Sequence, residues 1–436
     1  MKRLLGEAGF FAYLDALNQP YARALRVNLL LRPDGTPPCP IEGLGAPVPW
    51  AKGAYFVEGD ARPGLSPLHE GGLFYMQEPS ALTAVTALDP QPGERVLDLC
   101  AAPGGKSTQI AALMAGRGLL CCNEPIPSRA QILSRNIERM GVRNAVVLSA
   151  MPDALAPRFP AFFDRILVDA PCSGEGMFRR QPEARDEWDA DAPRRCADRQ
   201  MEILAQAAKM LRPGGTMVYS TCTFNDTENE GVLKRFLALH PEFSLVPFAL
   251  PGLPEAKDGY LHLYPHEMRG EGHFVSRLKK ADAPVHAAPQ RKAPARAAAK
   301  GKAPAPIALP DVFSDAFAPE RLYTAGDALW MLPEGISIER LSGLRVLRTG
   351  LLLAHAEGKR SEPDHALAMA LRPEEAARTA NLTQTQALAY QAGETLSLGD
   401  LPGGYTLLCC EGVSLGWGKQ AGGLMKNHYP KGLRRR

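Results

Sequence analysis

The sequence predicts an α/β fold in which a mostly parallel sheet lies between two layers of helices. Between residues 72 and 280, short apolar runs alternate with longer stretches of helical periodicity, which is typical of such a sheet. One run ends in the glycine-rich turn Pro103-Gly104-Gly105, and two later runs end beside cysteines. Because open α/β sheets bind ligands at the carboxyl ends of their strands, we expect a functional site at that edge.

The elements of this region alternate along the chain. The apolar runs predicted as strands are 95–99, 118–123, 145–148, 165–169, 216–220 and 273–278. The stretches predicted as helices are 80–87, 106–115, 127–139, 194–211 and 228–239. Since a helix separates most pairs of strands, the strands are expected to run mostly parallel.

Composition and charge exclude several classes of protein. With 436 residues, the chain is long enough for about two to four domains, each with its own core. It shows neither a secretory signal nor an apolar run of membrane-spanning length, so we expect a cytoplasmic protein. Nine cysteines without metal-ligand spacing indicate reduced thiols, with neither zinc nor a disulfide framework. A net charge of +3 does not by itself indicate nucleic-acid binding.

A separate region precedes the alternating pattern. Residues 10–17 are predicted as a helix, and residues 24–31 are predicted as a strand. The basic residues that flank this strand are Arg23, Arg26 and Arg32. They would suit a surface that faces phosphates, and a solvated edge explains them equally well.

The chain beyond residue 280 changes composition. Residues 281–308 contain twelve alanines, five prolines and five Lys or Arg residues against one acid. Such a segment cannot bury a core, and we predict a basic, semi-extended linker. Residues 309–436 read as a second region of short strands with its own apolar runs, such as 344–347 and 405–410.

The end of the chain is basic. Its last eighteen residues, 419–436, carry six Lys or Arg residues, no acid, and Tyr429. A basic tail with an aromatic side chain suits an RNA contact, whereas a solvated terminus has the same composition. The sequence leaves both possibilities open.

The glycine-rich turn excludes two of three candidate ligands. Gly105-Lys106-Ser107 matches the end of a P-loop, but Cys100 occupies the position of its first glycine, which argues against a nucleoside triphosphate. The dinucleotide fingerprint is missing, which argues against NAD and FAD. A nucleoside with a charged amino-acid tail remains, such as S-adenosylmethionine, and Glu124 closes the next predicted strand as an acceptor for ribose hydroxyls. A strand-to-helix turn without a ligand is the alternative.

Two cysteines follow neighbouring predicted strands. Cys172 stands in an Asp169-Ala-Pro-Cys segment, and Cys222 stands between two threonines. Carbon 5 of a pyrimidine is a weak nucleophile, but a thiolate added at carbon 6 makes it enamine-like, and covalent catalysis divides one difficult step into two. A second group must then help to remove the proton at carbon 5 so that the thiol can leave. A single strand-end cysteine is usually core packing, whereas two beside a methyl-donor turn predict this chemistry.

Four segments resemble the Sun-type RNA cytosine-5 methyltransferases. These segments are 75–80, 97–107, 169–176 and 219–224. Near the end of the chain, 415–420 and 426–432 resemble the bacterial RsmF-type branch of that family, which modifies ribosomal RNA. The resemblance covers nearly the whole chain and is strongest between residues 72 and 280 and at the tail.

The resemblance implies roles for four side chains in the reaction. Cys222 would be the nucleophile, and Cys172 would assist its release. Lys106 and Asp169 would line the methionine end of the methyl donor and the target base. DNA enzymes with this chemistry attack with the thiol of a Pro-Cys motif, so Cys172 is the alternative nucleophile by analogy.

The resemblance also implies a cofactor site for S-adenosylmethionine. Its residues would be Cys100, Ala101, Ala102, Pro103, Gly104, Gly105, Lys106, Glu124, Arg129 and Asp169. The segment from Ala101 to Gly105 would wrap the methionine, and Glu124 with Arg129 would hold the ribose. Many relatives offer an acid to the adenine after the third strand, whereas this chain offers Ser149, Asp153 or its backbone.

The resemblance finally implies the domain organisation and the partner. A Rossmann-like methyltransferase domain would occupy 72–280, after a ferredoxin-like RNA-binding region at 1–71. The linker at 281–308 would lead to an RNA-binding region at 309–436 that ends in a PUA-like domain. The partner would be RNA, 16S-type ribosomal RNA in the small subunit, and the protein would be a monomer. A tRNA-directed enzyme and a non-catalytic ribosome-assembly factor are the alternatives.

Overall fold

The computed structural model describes most of the chain. The described residues are 1–180, 182–282, 307, 312, 319–357 and 360–435. The predicted linker at 281–308 lies, except for three residues, outside the described residues, so its conformation stays a prediction. No helix among the described residues is long and apolar enough to cross a membrane.

The N-terminal region is a four-stranded antiparallel sheet. Its elements are α1 (Lys2–Leu17), β1 (Ala24–Val27), β2 (Leu44–Pro47), β3 (Ala54–Val57), a 3₁₀ turn (Pro63–Leu65), α2 (Pro67–Glu70) and β4 (Phe74–Gln77). The order β2-β3-β1-β4, with antiparallel neighbours throughout, is the ferredoxin-like order that we expected. No helix lies between β1 and β2. The sheet extends past the expected limit at residue 71, because β4 pairs with β1.

The expectation of a phosphate-facing surface around β1 is wrong for Arg26. Arg26 is only 1% exposed and donates to the Gly105 carbonyl at 3.2 Å and to Thr108 Oγ1 at 2.9 Å. Arg23 donates to the backbone carbonyl of Ala61 at 2.8 Å. Burial lowers the pKa of Arg26 to about 10. Arg26 therefore attaches the N-terminal sheet to the glycine-rich turn.

The central sheet carries the methyltransferase-type topology. Its strands between residues 95 and 280 are β5 (Arg95–Asp98), β6 (Leu119–Asn123), β7 (Ala145–Leu148), β8 (Phe163–Asp169), β9 (Leu211–Thr221), β10 (Phe243–Leu245), β11 (Tyr260–Leu263) and β12 (His273–Lys280). They lie in the order β10-β12-β9-β8-β5-β6-β7, and β11 pairs with β12. The strands β5 to β9 pair in parallel, and β12 runs antiparallel to β9. The predicted Rossmann-like fold is confirmed.

Helices cover both faces of this sheet. They are α3 (Thr83–Leu88), α4 (Gly105–Leu113), α5 (Pro127–Arg139), α6 (Pro152–Leu155), α7 (Pro182–Asp186), α8 (Ala192–Met210) and α9 (Glu230–Leu239), with 3₁₀ turns at Ser80–Leu82 and Glu175–Met177. Side chains that alternate along a strand enter two different cores: Val96 packs with α3 and α4, and Leu97 packs with α8. All six predicted strands are present, although β9 begins earlier than predicted because Leu211 already pairs with Phe163.

Two further four-stranded sheets follow residue 318. Their elements are β13 (Leu322–Ala325), β14 (Ala328–Met331), α10 (Ile338–Leu341), β15 (Val346–Arg348), β16 (Leu351–Glu357), β17 (Arg360–Pro363), α11 (His365–Ala370), β18 (Thr379–Asn381), α12 (Gln384–Ala392), β19 (Gly404–Cys410), β20 (Val413–Ala421) and β21 (Leu424–Asn427). Three 3₁₀ turns lie at Pro319–Arg321, Pro373–Glu375 and Lys431–Leu433. The two sheets have the orders β13-β14-β16-β17 and β18-β19-β20-β21.

The strand β15 belongs to neither of these sheets. It pairs antiparallel with β7 and so becomes the ninth strand of the central sheet. Arg348 of β15 is 4% exposed and forms an ion pair with Glu138 of α5. The apolar run 344–347, which we expected to serve a core of the C-terminal region, therefore extends the catalytic sheet instead.

The basic tail returns to the N-terminal sheet. Tyr429 is 3% exposed and shares an apolar cluster with Leu25 and Leu408, and Arg435 donates to the carbonyls of Leu65 and Ser66. The possibility that Tyr429 contacts RNA is therefore wrong, because its ring lies in the core between the first and last sheets. Lys426 and Lys431 of the tail are exposed.

Candidate active site

The glycine-rich turn leaves β5 and enters α4, and α5 supports it. Gly104 has φ +114°, and a Cβ there would lie 3.2 Å from Leu133 of α5, so the position requires glycine. Asn136 of α5 donates to the Pro103 carbonyl at 2.9 Å, and Arg129 donates to the Ala102 carbonyl at 3.2 Å. The turn is thereby fixed at the N-terminus of α4, whose first amides are free of intrahelical partners.

The predicted ribose acceptor lies beside this turn. Glu124 is 3% exposed, accepts from the Ile126 amide at 3.0 Å, and lies 3.3 Å from the Arg129 guanidinium. The preceding residue, Asn123, donates to the carbonyls of Leu99 and Ala150. Sequence reasoning missed Asn123, although an amide directly before the predicted acid was a usable signal.

The two candidates for the adenine end differ in their surroundings. The Ser149 hydroxyl already donates to the Pro125 carbonyl at 3.3 Å, and its amide donates to the Arg345 carbonyl. Asp153 is exposed in the first turn of α6. These surroundings do not show which residue would contact the adenine, so a role for Ser149 or Asp153 stays a prediction.

Asp98, the last residue of β5, is a buried carboxyl group next to the glycine-rich turn. It is fully buried and accepts a hydrogen bond from Ser107 Oγ at 2.7 Å. Burial raises its pKa to about 7, although the Ser107 hydrogen bond partly offsets this effect and the Asp169 charge adds to it. Burial also raises the pKa of the nearby Cys100 thiol. Sequence reasoning treated Asp98 as part of a strand and missed its unusual ionisation.

Lys106 and Asp169 form an ion pair at the ends of β5 and β8. Lys106 Nζ lies 2.8 Å from Asp169 Oδ2, Ser220 Oγ donates to Oδ1 at 2.8 Å, and His273 Nε2 lies 3.5 Å from Oδ1. Burial opposes both charges, but the pairing outweighs it: the pKa of Lys106 is raised, and the pKa of Asp169 is held well below its usual range. The sequence predicted both residues and missed Ser220 and His273.

The two predicted thiols meet. Cys172 Sγ and Cys222 Sγ are 3.3 Å apart, although fifty positions separate them in the chain. The hydrogen bond with Cys222, and then burial, raises the pKa of Cys172. The charge on Cys222 is among the causes that raise the pKa of Lys106, after the pairing with Asp169.

Side chains behind the thiols fix both turns. Thr221 Oγ1 donates to Asn229 Oδ1 at 2.7 Å, and Asn229 donates to the Thr223 carbonyl at 3.1 Å. The turn that carries Cys172 is held by Gln200 and by the buried Glu228, which the sequence analysis missed. The signal in the sequence was the run of polar residues directly before α9, since these residues have no evident role at the surface.

The strand order, the glycine-rich turn and the thiol pair together define a Rossmann-like methyltransferase. Comparison with known families agrees along the chain: residues 85–279 match "16S rRNA methyltransferase RsmB/F", and residues 1–79 match "N-terminal domain of 16S rRNA methyltransferase RsmF". Residues 310–371 match the first C-terminal domain of the RsmF rRNA methyltransferase, and residues 377–435 match the methyltransferase RsmF PUA domain.

Relatives of nearly full length lead to the same family. "Ribosomal RNA small subunit methyltransferase F" of Erwinia tasmaniensis is 34% identical over 99% of this chain and 95% of its own length. The protein of the same name from Enterobacter sp. is 35% identical over 97% and 92%, respectively. The chain therefore belongs to the RsmF family of RNA methyltransferases and is an enzyme of that class.

Solved structures share the catalytic fold. A methyltransferase homolog protein from Pyrococcus horikoshii is 29% identical with a TM-score of 0.52, over 64% of this chain and 97% of that one. NSun6 from the same organism, solved with SFG, is 22% identical with a TM-score of 0.55, over 65% and 97%. The second similarity shows the fold alone.

The ionisation of Asp98 yields a pH prediction. Its pKa is raised to about 7 in the folded protein from an unfolded value of about 3.9, so the folded state binds this proton more tightly and stability should fall as pH rises between those values. Asp98→Asn should remove this fall and be the more stable protein near pH 8, by at most about 4 kcal/mol. Thermal unfolding near pH 5 and pH 8 measures the difference.

The control for this prediction is Asp258→Asn, because Asp258 is exposed. That variant should follow the parent protein at both pH values. An unchanged pH dependence in Asp98→Asn would show that Asp98 does not hold its proton in the folded state.

Proposed function

We propose that this protein transfers the methyl group of S-adenosylmethionine to carbon 5 of a cytosine in small-subunit ribosomal RNA, with Cys222 as the nucleophile and Cys172 as the thiol that assists its release. The main support for this proposal is the pair of thiols, 3.3 Å apart, which lies with the Lys106–Asp169 ion pair at the carboxyl ends of the parallel strands. The names of the near full-length relatives support ribosomal RNA over tRNA. Both thiols are present, which argues against a non-catalytic assembly factor.

The residues around the turn fit S-adenosylmethionine. The turn leads into the N-terminus of α4, which favours a carboxylate. Glu124 offers a buried carboxylate to ribose hydroxyls, with Arg129 at its side. Asp169 can accept from an ammonium group. When bound, S-adenosylmethionine supplies an electrophilic methyl group.

The thiol pair can divide the reaction into two steps. The Cys222 thiolate adds to carbon 6 of the cytosine, and the displaced electron pair makes carbon 5 nucleophilic, so that carbon 5 can accept the methyl group. Loss of the proton from carbon 5 to solvent then restores the double bond as the bond from carbon 6 to sulfur breaks. Cys172, as a thiol, donates a hydrogen bond to the departing Cys222 thiolate. Lys106 and Asp169 hold the base and the donor in place.

The surroundings of the two thiols support Cys222 over Cys172 as the nucleophile. The Glu228 carboxylate accepts from the amide of Ser173, the residue next to Cys172, at 3.1 Å, and a nearby anion disfavours a thiolate. The alternative of attack by the Pro-Cys thiol would need the opposite distribution of charge.

We also propose the partner and the domain organisation. RNA would contact the ferredoxin-like region at 1–71 and the PUA-like end of 309–436, around the catalytic domain at 72–280, and the protein would act as a monomer in the cytoplasm. The exposed Lys426 and Lys431 are the tail residues that suit phosphates.

The two cysteines should give opposite results when substituted. Cys222→Ala should abolish methylation and any covalent adduct with RNA, because no thiolate attacks carbon 6. Cys172→Ala should still attack and methylate but release slowly, so that a denaturant-resistant protein–RNA complex accumulates on a denaturing gel. Cys196→Ala is the matched control, since Cys196 is half-buried outside the pair. An adduct trapped by Cys222→Ala and absent with Cys172→Ala would reverse the two roles.

Glu124→Ala should weaken binding of S-adenosylmethionine. The lost charged hydrogen bond is worth about 1–3 kcal/mol, or roughly 5- to 150-fold in affinity. Titration calorimetry with the parent, this variant and Glu202→Ala, which changes an exposed glutamate of α8, measures the loss. Tight binding of ATP or NAD by the parent, with none of the methyl donor, would reject the cofactor assignment.

Substitutions in the tail should lower RNA affinity without affecting the chemistry. Deletion of the C-terminal region would expose the core around Tyr429, so point substitutions are the sharper test. Lys426→Ala and Lys431→Ala should each lower the slope of log affinity against log salt by about 0.7–0.9. Lys209→Ala, on an exposed position of α8, serves as the control. Equal slopes for the parent and both tail variants would contradict an RNA contact there.

A further inference from the structure

A buried carboxylate lies behind the turn that carries Cys172. Glu228 is fully buried, and its partners among the described residues are neutral donors. Gln200 and Asn225 donate through their amides at 2.8 Å each, and the Ser173 amide donates at 3.1 Å. The Ser173 hydroxyl donates as well. Within the described part of the chain, no cation forms an ion pair with this carboxylate.

The orientation of these donors is fixed by further hydrogen bonds. The Pro171 carbonyl can only accept, and Gln200 Nε2 lies 2.9 Å from it, so the amide nitrogen of Gln200 faces both that carbonyl and Glu228. Asn225 Oδ1 accepts from the Glu228 amide at 2.9 Å, so its N–H groups face the carboxylate. The site therefore presents donors alone and is built for an anion.

The two thiols consequently lie between unlike charges. On one side, the Lys106 ammonium lies close enough to Cys222 for their charges to interact. On the other side, the Glu228 carboxylate bonds the residue next to Cys172. A nearby cation favours a thiolate, and a nearby anion disfavours it. The Asp169 carboxylate disfavours a thiolate less than the Glu228 carboxylate does, because Lys106 pairs with Asp169.

We propose that Glu228 is a positioning residue that keeps Cys172 in its thiol form, so that Cys222 carries the thiolate of the pair. Its effect on methylation rests on the proposed function, whereas its effect on the thiol does not. The charge of Glu228 is among the causes that raise the pKa of Cys172, after the Cys222 hydrogen bond and burial. As a thiol, Cys172 has the proton that it donates to the departing Cys222.

Other titratable groups also surround Cys172. They are Tyr219 from β9, Cys222 directly after β9, Cys196 from α8, Glu228 before α9, and the Lys106–Asp169 pair from α4 and β8. Removing Cys222 takes away the largest cause of the raised pKa of Cys172. It leaves Glu228, which has no ion-pair partner in the described part of the chain. The test therefore uses the full-length chain with Cys222→Ala as the background.

The experiment measures alkylation of Cys172 by iodoacetamide across a range of pH, with each cysteine read by peptide mass spectrometry. In the Cys222→Ala background, Glu228→Gln should lower the alkylation midpoint of Cys172 by about one pH unit, or roughly tenfold in rate near neutral pH. Glu228→Asp, which keeps the charge, should restore the midpoint. Glu175→Gln is the matched control, because Glu175 accepts from Phe224 and Asn225 in the same turn network.

A second variant separates charge from loosened packing. Gln200→Leu keeps the Glu228 charge and removes one of its donors, so it should raise the midpoint, whereas loosened packing would speed alkylation in both variants. An unchanged or raised alkylation midpoint of Cys172 in folded Glu228→Gln would overturn the proposal. Alkylation of Cys172 that is accelerated equally by Gln200→Leu and by Glu228→Gln would overturn it as well. No RNA enters this assay: if the midpoints shift as expected but Cys172→Ala traps no adduct, the proposed function fails and the role of Glu228 stands.

Discussion

The parallel pairing of β8 between β5 and β9 is the constraint on which the site depends. It places the carboxyl ends of three strands at one edge, so that the glycine-rich turn, Asp169 and Cys222 meet although the chain separates them widely. The pairing also makes β5 the point from which the sheet extends in both directions, which opens a crevice above it. Without this register, the Lys106–Asp169 ion pair would not form.

Charge is distributed unevenly at the edge of the sheet that carries the two thiols, and we propose that this distribution gives two identical side chains different chemistry. Lys106 is a cation held by Asp169, and Glu228 is an anion held only by neutral donors in the described part of the chain. Cys172 and Cys222 lie between them. Sulfur chemistry depends on which thiol ionises, so in the mechanism that we propose the fixed charges around the pair, rather than the cysteines themselves, distinguish nucleophile from helper.

The flanking regions pack against the catalytic sheet and are part of its architecture. Arg26 connects the N-terminal sheet to the first turn of α4, and β15 extends the catalytic sheet beside β7. Tyr429 joins the last sheet to the first. Regions that the comparisons assign to separate RsmF domains thus share hydrogen bonds and cores, which fixes the surfaces available to RNA relative to the thiols.

The sequence alone determined the alternating pattern, the glycine-rich turn, and the residue types at the strand ends, because periodicity and turn chemistry are local properties. It therefore predicted the Rossmann-like fold and the two thiols. It could not assign the run at 344–347 to the catalytic sheet, nor show that Arg26 and Tyr429 are buried, because an edge strand and a solvated arginine look alike in sequence. Only the tertiary structure decided which distant groups share a low-dielectric site, and so revealed Asp98 and Glu228, since ionisation depends on burial and neighbours rather than on residue type.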